Sequence, residues 1–155
     1  MSGPIRLFLL GAVIMFASGC STTSTRATFQ AEHDVGQRIA QFAKVQVGTP
    51  YKWGGKTPAG FDCSGLVLFV YNKFGVDVPR TAHAQYREAA PVRLDRLRPG
   101  DLLFFKIGSR RISHVAIYTG NGAFVHAPRS GTSVQVATLE SEYWRRYLVG
   151  AGRYV

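Results

Sequence analysis

The sequence predicts an α+β domain whose helices come first and pack on a five- to six-stranded antiparallel sheet. Three observations carry this. Two amphipathic segments with helical spacing lie between residues 34 and 75. Five short β-rich runs follow residue 101. A Gly-Asn-Gly turn at 120–122 joins two of those runs as a hairpin. The chain has 155 residues, enough for one domain plus a targeting segment. Hydrophobic residues make up 46% and charged residues 18%, which excludes a disordered chain. With two cysteines, Cys20 and Cys63, the fold rests on packing rather than a disulfide scaffold. The formal charge of +10 favours an anionic partner: nucleic acid, a membrane surface or an anionic polymer.

The first predicted helix spans about 34–47, with Val35, Ile39, Phe42 and Ala43 on one face and Gly48 and Pro50 as its stop. A glycine-rich loop, Tyr51-Lys52-Trp53-Gly54-Gly55, leads through Thr57-Pro58-Ala59-Gly60 to the second helix. Asp62 is its natural N-cap. Leu66, Val67, Val70, Tyr71 and Phe74 make its face broad and apolar, and Gly75 ends it. A short helix is predicted over 81–90, then the turn Arg98-Pro99-Gly100-Asp101. Strands are predicted over 102–106, 113–119, 123–127, 133–137 and 149–155, with a short helix around 139–143.

Residues 1–19 read as an export signal: Arg6, an apolar run from Leu7 to Phe16, then Ala17-Ser18-Gly19 before Cys20. The apolar run falls short of the roughly 20 residues a membrane span needs. Ala-Ser-Gly-Cys resembles the lipobox of bacterial lipoproteins, which implies cleavage before Cys20 and a lipid anchor on it. An ordinary secretory signal is the alternative. Ser21 after the cysteine points to the outer membrane, on the periplasmic face of the envelope. Residues 20–33, rich in Ser and Thr, read as a tether. The domain is then 34–155.

Cys63 sits at the start of the second helix, where unpaired amides favour a thiolate. The sequence therefore predicts a lowered thiol pKa and a nucleophile. A buried structural cysteine, or a disulfide to Cys20, is the competing reading. A cysteine nucleophile needs a base. His114 opens one strand of the predicted hairpin and His126 lies on the next, so one can take the proton while the other orients it. The remaining histidines are His33, which falls in the tether, and His83. Cysteine and two histidines also match a zinc donor set, although no Cys-x-x-Cys or His-Glu-x-x-His spacing supports a metal.

In this order the segments Gly48-Thr49-Pro50-Tyr51-Lys52-Trp53-Gly54-Gly55, Phe61-Asp62-Cys63-Ser64-Gly65, Val78-Pro79-Arg80-Thr81, Leu97-Arg98-Pro99-Gly100-Asp101, His114-Val115-Ala116-Ile117-Tyr118 and Phe124-Val125-His126-Ala127 resemble the NlpC family of papain-like cell-wall peptidases. The resemblance covers about 35–155, and the lipid-anchored single-domain build is most similar to its Spr-like members. It implies Cys63 as nucleophile, His114 as base, His126 as the orienting residue and Tyr51 in the oxyanion region. It implies no metal or organic cofactor, and peptidoglycan as substrate, with the D-alanyl–diaminopimelate cross-link favoured over the D-glutamyl–diaminopimelate bond. Asp62 reads as a cap, Ser64 as cleft lining, and Arg80, Arg110, Arg111 and Arg129 as candidate contacts for substrate carboxylates. The alternatives are a non-catalytic wall-binding module and an enzyme moving acyl groups between lipids. No nucleic-acid motif accompanies the charge. A monomer is expected; a regulatory protein partner is left open.

Overall fold

The computed structural model describes residues 35–155. The export signal, Cys20, the tether and His33 lie outside the described residues. The first helix, α1, covers 35–45. A two-residue hairpin follows, β1 (Lys56–Thr57) against β2 (Gly60–Phe61). Then come α2 (Cys63–Asn72), α3 (Ala82–Glu88), β3 (Ala90–Val92) and a 3-10 turn at Leu94–Arg96. The remaining elements are β4 (Leu102–Phe105), β5 (His114–Gly120), β6 (Ala123–His126), β7 (Gln135–Thr138), α4 (Glu142–Tyr147) and β8 (Leu148–Arg153). The six strands β3-β8-β4-β5-β6-β7 form one sheet, and each neighbouring pair runs antiparallel. The α+β class predicted from sequence holds.

Alternation along each strand gives the sheet two faces. One face carries Leu102, Phe104, Val115, Ile117, Val125 and Ala127 and packs under α1 and α2 through Ile39, Ala43, Leu66, Val67, Val70 and Tyr71. The other carries Leu103, Phe105, Ala116 and Phe124, and is partly covered by Trp144 and Tyr147 of α4. Where the chain leaves β5 for β6, Gly120, Asn121 and Gly122 all have positive φ, the conformation the Gly-Asn-Gly turn anticipates.

Three elements depart from expectation. The strand β3 was not predicted: it is three residues long, contains Pro91, and gains its identity from pairing with β8. Residues 56–61, read as loop, form the β1–β2 hairpin. The last helix starts at Glu142 rather than near Leu139. Away from the cleft, a paired Arg153 and Asp101 join the C-terminal strand to the start of β4, at 2.6 Å and 2.7 Å. The Asp101 side chain is 2% exposed, and it also accepts from the amide of Arg98.

Candidate active site

The helix α2 begins at Cys63 because Asp62 caps it. The Asp62 carboxylate accepts from the Gly65 amide at 2.7 Å and, through its other oxygen, from the Gly54 amide at 3.0 Å. This pins the glycine loop against the first turn. Gly65 has no room for a side chain, since a Cβ there would meet the Gly55 carbonyl oxygen at 1.9 Å. The loop and the helix start therefore touch backbone to backbone, and the cysteine is placed by main-chain geometry.

Arg80 reaches the same carboxylate from the loop before α3. Its guanidinium donates to both Asp62 oxygens, at 3.0 Å and 2.5 Å, and to the Ser64 hydroxyl at 2.9 Å. The buried amide of Gln85 donates to the carbonyls of Ser64 and Pro79, which holds α3 on the start of α2. Asp62 acts as the cap, as expected. Arg80 lines the cleft, but its charge is already matched by Asp62.

Cys63 is half-buried and free. Its sulfur lies against the start of β5, 4.0 Å from the Ser113 carbonyl oxygen. Backbone hydrogen bonds at Val115, Ser64 and Cys63 itself pull the thiol pKa down, yet burial, followed by the charge of Asp62, pushes it above the ordinary thiol value. This overturns the predicted lowering: the helix start does exert its pull, but desolvation exceeds it.

His114 is the first residue of β5 and lines the same cleft as Cys63. Its Nε2 lies 3.0 Å from Nδ1 of His126. That contact leaves Nδ1 of His114 as the nitrogen available toward the cleft. Both imidazoles are buried, and burial holds them neutral: His114 is lowered to about 3, with His126 as a second cause, and His126 to about 4. The sequence-predicted pair of strand histidines is thus in direct contact, and its outer member shares a cleft with the cysteine.

Tyr51 packs on the helical core with its phenol in the cleft. Burial first, then the nearby Cys63 and Asp62, raises its pKa, so it remains a protonated donor at neutral pH. The cleft measures about 730 Å³. Tyr51, Asp62, Ser64, Arg80, Ile107, Ile112 and Arg129 are among the residues that line it. Arg110 and Arg111, candidates from sequence, are exposed and do not line it. Sequence reasoning missed Trp53 and His83 as lining residues. Trp53 is 86% exposed on the braced glycine loop, and an aromatic in such a loop was the one available signal. Among the described residues no group of three His, Cys, Asp or Glu side chains is placed to hold a metal.

Known proteins share both the fold and this arrangement of sequence. The family model described as "NlpC/P60 family" matches residues 48–153. The "Murein DD-endopeptidase MepH" of Escherichia coli is 46% identical over 113 residues, which cover 70% of this chain and 42% of that protein. "Probable endopeptidase YafL" of the same organism is 42% identical over 126 residues, 78% of this chain and 51% of that protein. The chain thus spans about half the length of these curated relatives, or less. A crystal structure of an NlpC/P60 family protein from Bacillus cereus superposes with a TM-score of 0.73 at 35% identity, covering 77% of this chain and 40% of that one. The NlpC/p60 domain of the peptidoglycan hydrolase SagA superposes with a TM-score of 0.66 at 35% identity, covering 76% of this chain and 97% of that one. With a six-stranded antiparallel sheet, a cysteine at the start of its central helix and a family match across most of its length, the chain belongs to the NlpC/P60 family.

Proposed function

We propose that the protein is a cysteine endopeptidase that hydrolyses amide bonds in the peptides of peptidoglycan. The observation that carries this reading is that Cys63 and His114 line one cleft, with His126 in contact with His114 behind it. The resting pair is a neutral thiol and a neutral imidazole, given the directions in which burial moves both groups. The proton therefore passes from sulfur to Nδ1 of His114 as sulfur attacks the scissile carbonyl carbon. A C–S bond forms, and the negative charge moves to the carbonyl oxygen. The Tyr51 phenol and the Cys63 amide are the donors for that oxygen. Collapse breaks the C–N bond, and the His114 imidazolium returns its proton to the leaving amine. Water, deprotonated by His114, then releases the acyl group and restores the thiol. His126 holds His114 in the required tautomer throughout, in the role a third triad member plays. No step calls for a metal or an organic cofactor.

The favoured bond is the D-alanyl–diaminopimelate cross-link, supported by the likeness to a protein named as a murein DD-endopeptidase. The D-glutamyl–diaminopimelate bond is the alternative. The lipobox-like segment supports an anchor on Cys20 and placement at the periplasmic face of the outer membrane. Mass spectrometry of products from a purified cross-linked dimer of disaccharide tetrapeptides tests the activity and which bond is cut. Cross-link cleavage yields tetrapeptide monomers. A disaccharide dipeptide product would instead show cleavage after D-glutamate. An undigested dimer, with wild-type enzyme in excess, would overturn the reading.

A further inference from the structure

Trp144 of α4 has no part in the steps above, yet it touches both histidines. Its ring stands perpendicular to His126, with centroids 4.7 Å apart and an angle of 88°. It lies nearly parallel to His114, at 5.6 Å and 29°. Phe105 and Phe124 pack around the same indole, at 5.1 Å and 5.3 Å. Trp144 is half-buried, whereas His114 is 5% exposed and His126 0%. The indole is therefore packed as cover over the two imidazoles on the α4 face of the sheet.

The tautomers give this packing a chemical meaning. For His114 to accept a proton at Nδ1, its Nε2 must carry hydrogen and donate to Nδ1 of His126. His126 must then carry its own hydrogen on Nε2. That atom is buried and has no oxygen or nitrogen partner. A buried donor left unpaired costs about 1–3 kcal/mol. The face of a perpendicular aromatic ring is a weak acceptor for such an N–H.

We propose that Trp144 is a positioning residue for the His114–His126 pair: its indole face receives the His126 Nε2–H, locks the tautomer chain that leaves His114 Nδ1 free, and lies face-on against His114 when that ring becomes charged. The last part follows from the near-parallel stacking, because an imidazolium within about 6 Å of an indole centroid is attracted to the ring. In this way an uncharged ring supplies part of what a carboxylate supplies in other triads, without placing a second charge in a dry site. The inference rests on the Cys63–His114–His126 reading above.

The charge that bears on His114 directly is that of His126, from β6, while Tyr51, Asp62, Cys63, Arg80, His83 and Arg129 share its cleft. The strand β4 and the helix α4 present to it the uncharged rings of Phe105 and Trp144. Losing the stacked indole removes its attraction for the charged ring, but opening the α4 side to water relieves burial, the first cause of the lowered His114 value, and that effect is the larger. Trp144→Leu should therefore move the acid limb of kcat/KM to higher pH, toward the ordinary histidine range.

Nitrogen-15 NMR of the histidine rings in the unmodified protein tests the tautomer without any substitution. The expected result is His126 protonated on Nε2, with that proton shifted upfield by the indole. His126 protonated on Nδ1, or an unshifted Nε2 proton, would overturn the proposal. In turnover, Trp144→Leu should lower kcat about tenfold with KM little changed, and Trp144→Phe should recover to within about threefold of wild type. Thermal unfolding of both variants establishes that they are folded. A folded Trp144→Leu with wild-type kcat and an unmoved acid limb would also overturn it. An active Cys63→Ala control would instead break the nucleophile assignment beneath the proposal, so the two failures are distinguishable.

Discussion

The two faces of the sheet deliver the two halves of the proposed chemistry by different means. On the α1–α2 face Cys63 is set by backbone: a capped helix start, a glycine loop in main-chain contact, and the carboxylate of Asp62. On the α4 face the proposed base is set by side chains: Phe105, Phe124 and Trp144 pack on His114 and His126. The halves meet where β5 begins, because His114 opens that strand and the Cys63 sulfur rests against its first residues. A nucleophile needs a fixed origin, which main chain supplies well. A base must be kept dry and in one tautomer, which rings supply well.

Substitutions on the two faces should have opposite effects on activity and stability. The largest effect is expected from His114→Gln, which should lower kcat about 10⁴-fold while leaving the melting temperature close to wild type. On the opposite face, Leu66→Ala should do the reverse. Deleting this fully buried side chain should cost about 3 kcal/mol of stability, with kcat per folded molecule nearly kept. His126→Ala falls between, with a loss of about a hundredfold in kcat and a modest loss of stability. If Leu66→Ala instead lost activity without losing stability, the division of labour between the faces would be wrong.

The pH dependence follows from the same enclosure. Both histidines have folded-state values below the ordinary 6.5, at about 3 and about 4. Below pH 6.5 the unfolded chain binds protons that the folded chain refuses, so stability is fully present above 6.5 and declines as pH falls toward 3. A melting temperature measured in steps from pH 8 to pH 4 should fall over the lower half of that range. The decline should be smaller in His114→Gln, which no longer carries the more strongly shifted group. The smallest expected effect concerns the thiol. Asp62→Asn removes the second cause, after burial, of the raised Cys63 value, so alkylation at pH 8 should quicken a few-fold. An unchanged or slower rate would show that Asp62 acts on Cys63 through geometry alone.

Much of the fold was legible because its signals are local. The helical spacing of Val35, Ile39, Phe42 and Ala43, the Asp62 cap and the Gly-Asn-Gly turn all state their structure within a few residues. The motifs singled out Cys63, His114, His126 and Tyr51, and the structure brings the first two and Tyr51 to one cleft with His126 behind. What escaped depends on distant partners. The strand β3 exists through β8, some sixty residues later in the chain. Arg80 is occupied by Asp62, a pairing that no spacing announces. The direction of the Cys63 pKa was misjudged because the helix-start field is local while desolvation comes from the whole fold. Trp144 lies in a six-residue helix too short to show periodicity, and its contacts come from β4, β5 and β6.

Clearing of purified, cross-linked sacculi by wild type and Cys63→Ala, at equal concentration and with matched melting temperatures, tests the central claim most directly. Clearing by the wild type and none by the variant is the expected result. Equal clearing by both would contradict it, since bond cleavage would then proceed without the sulfur.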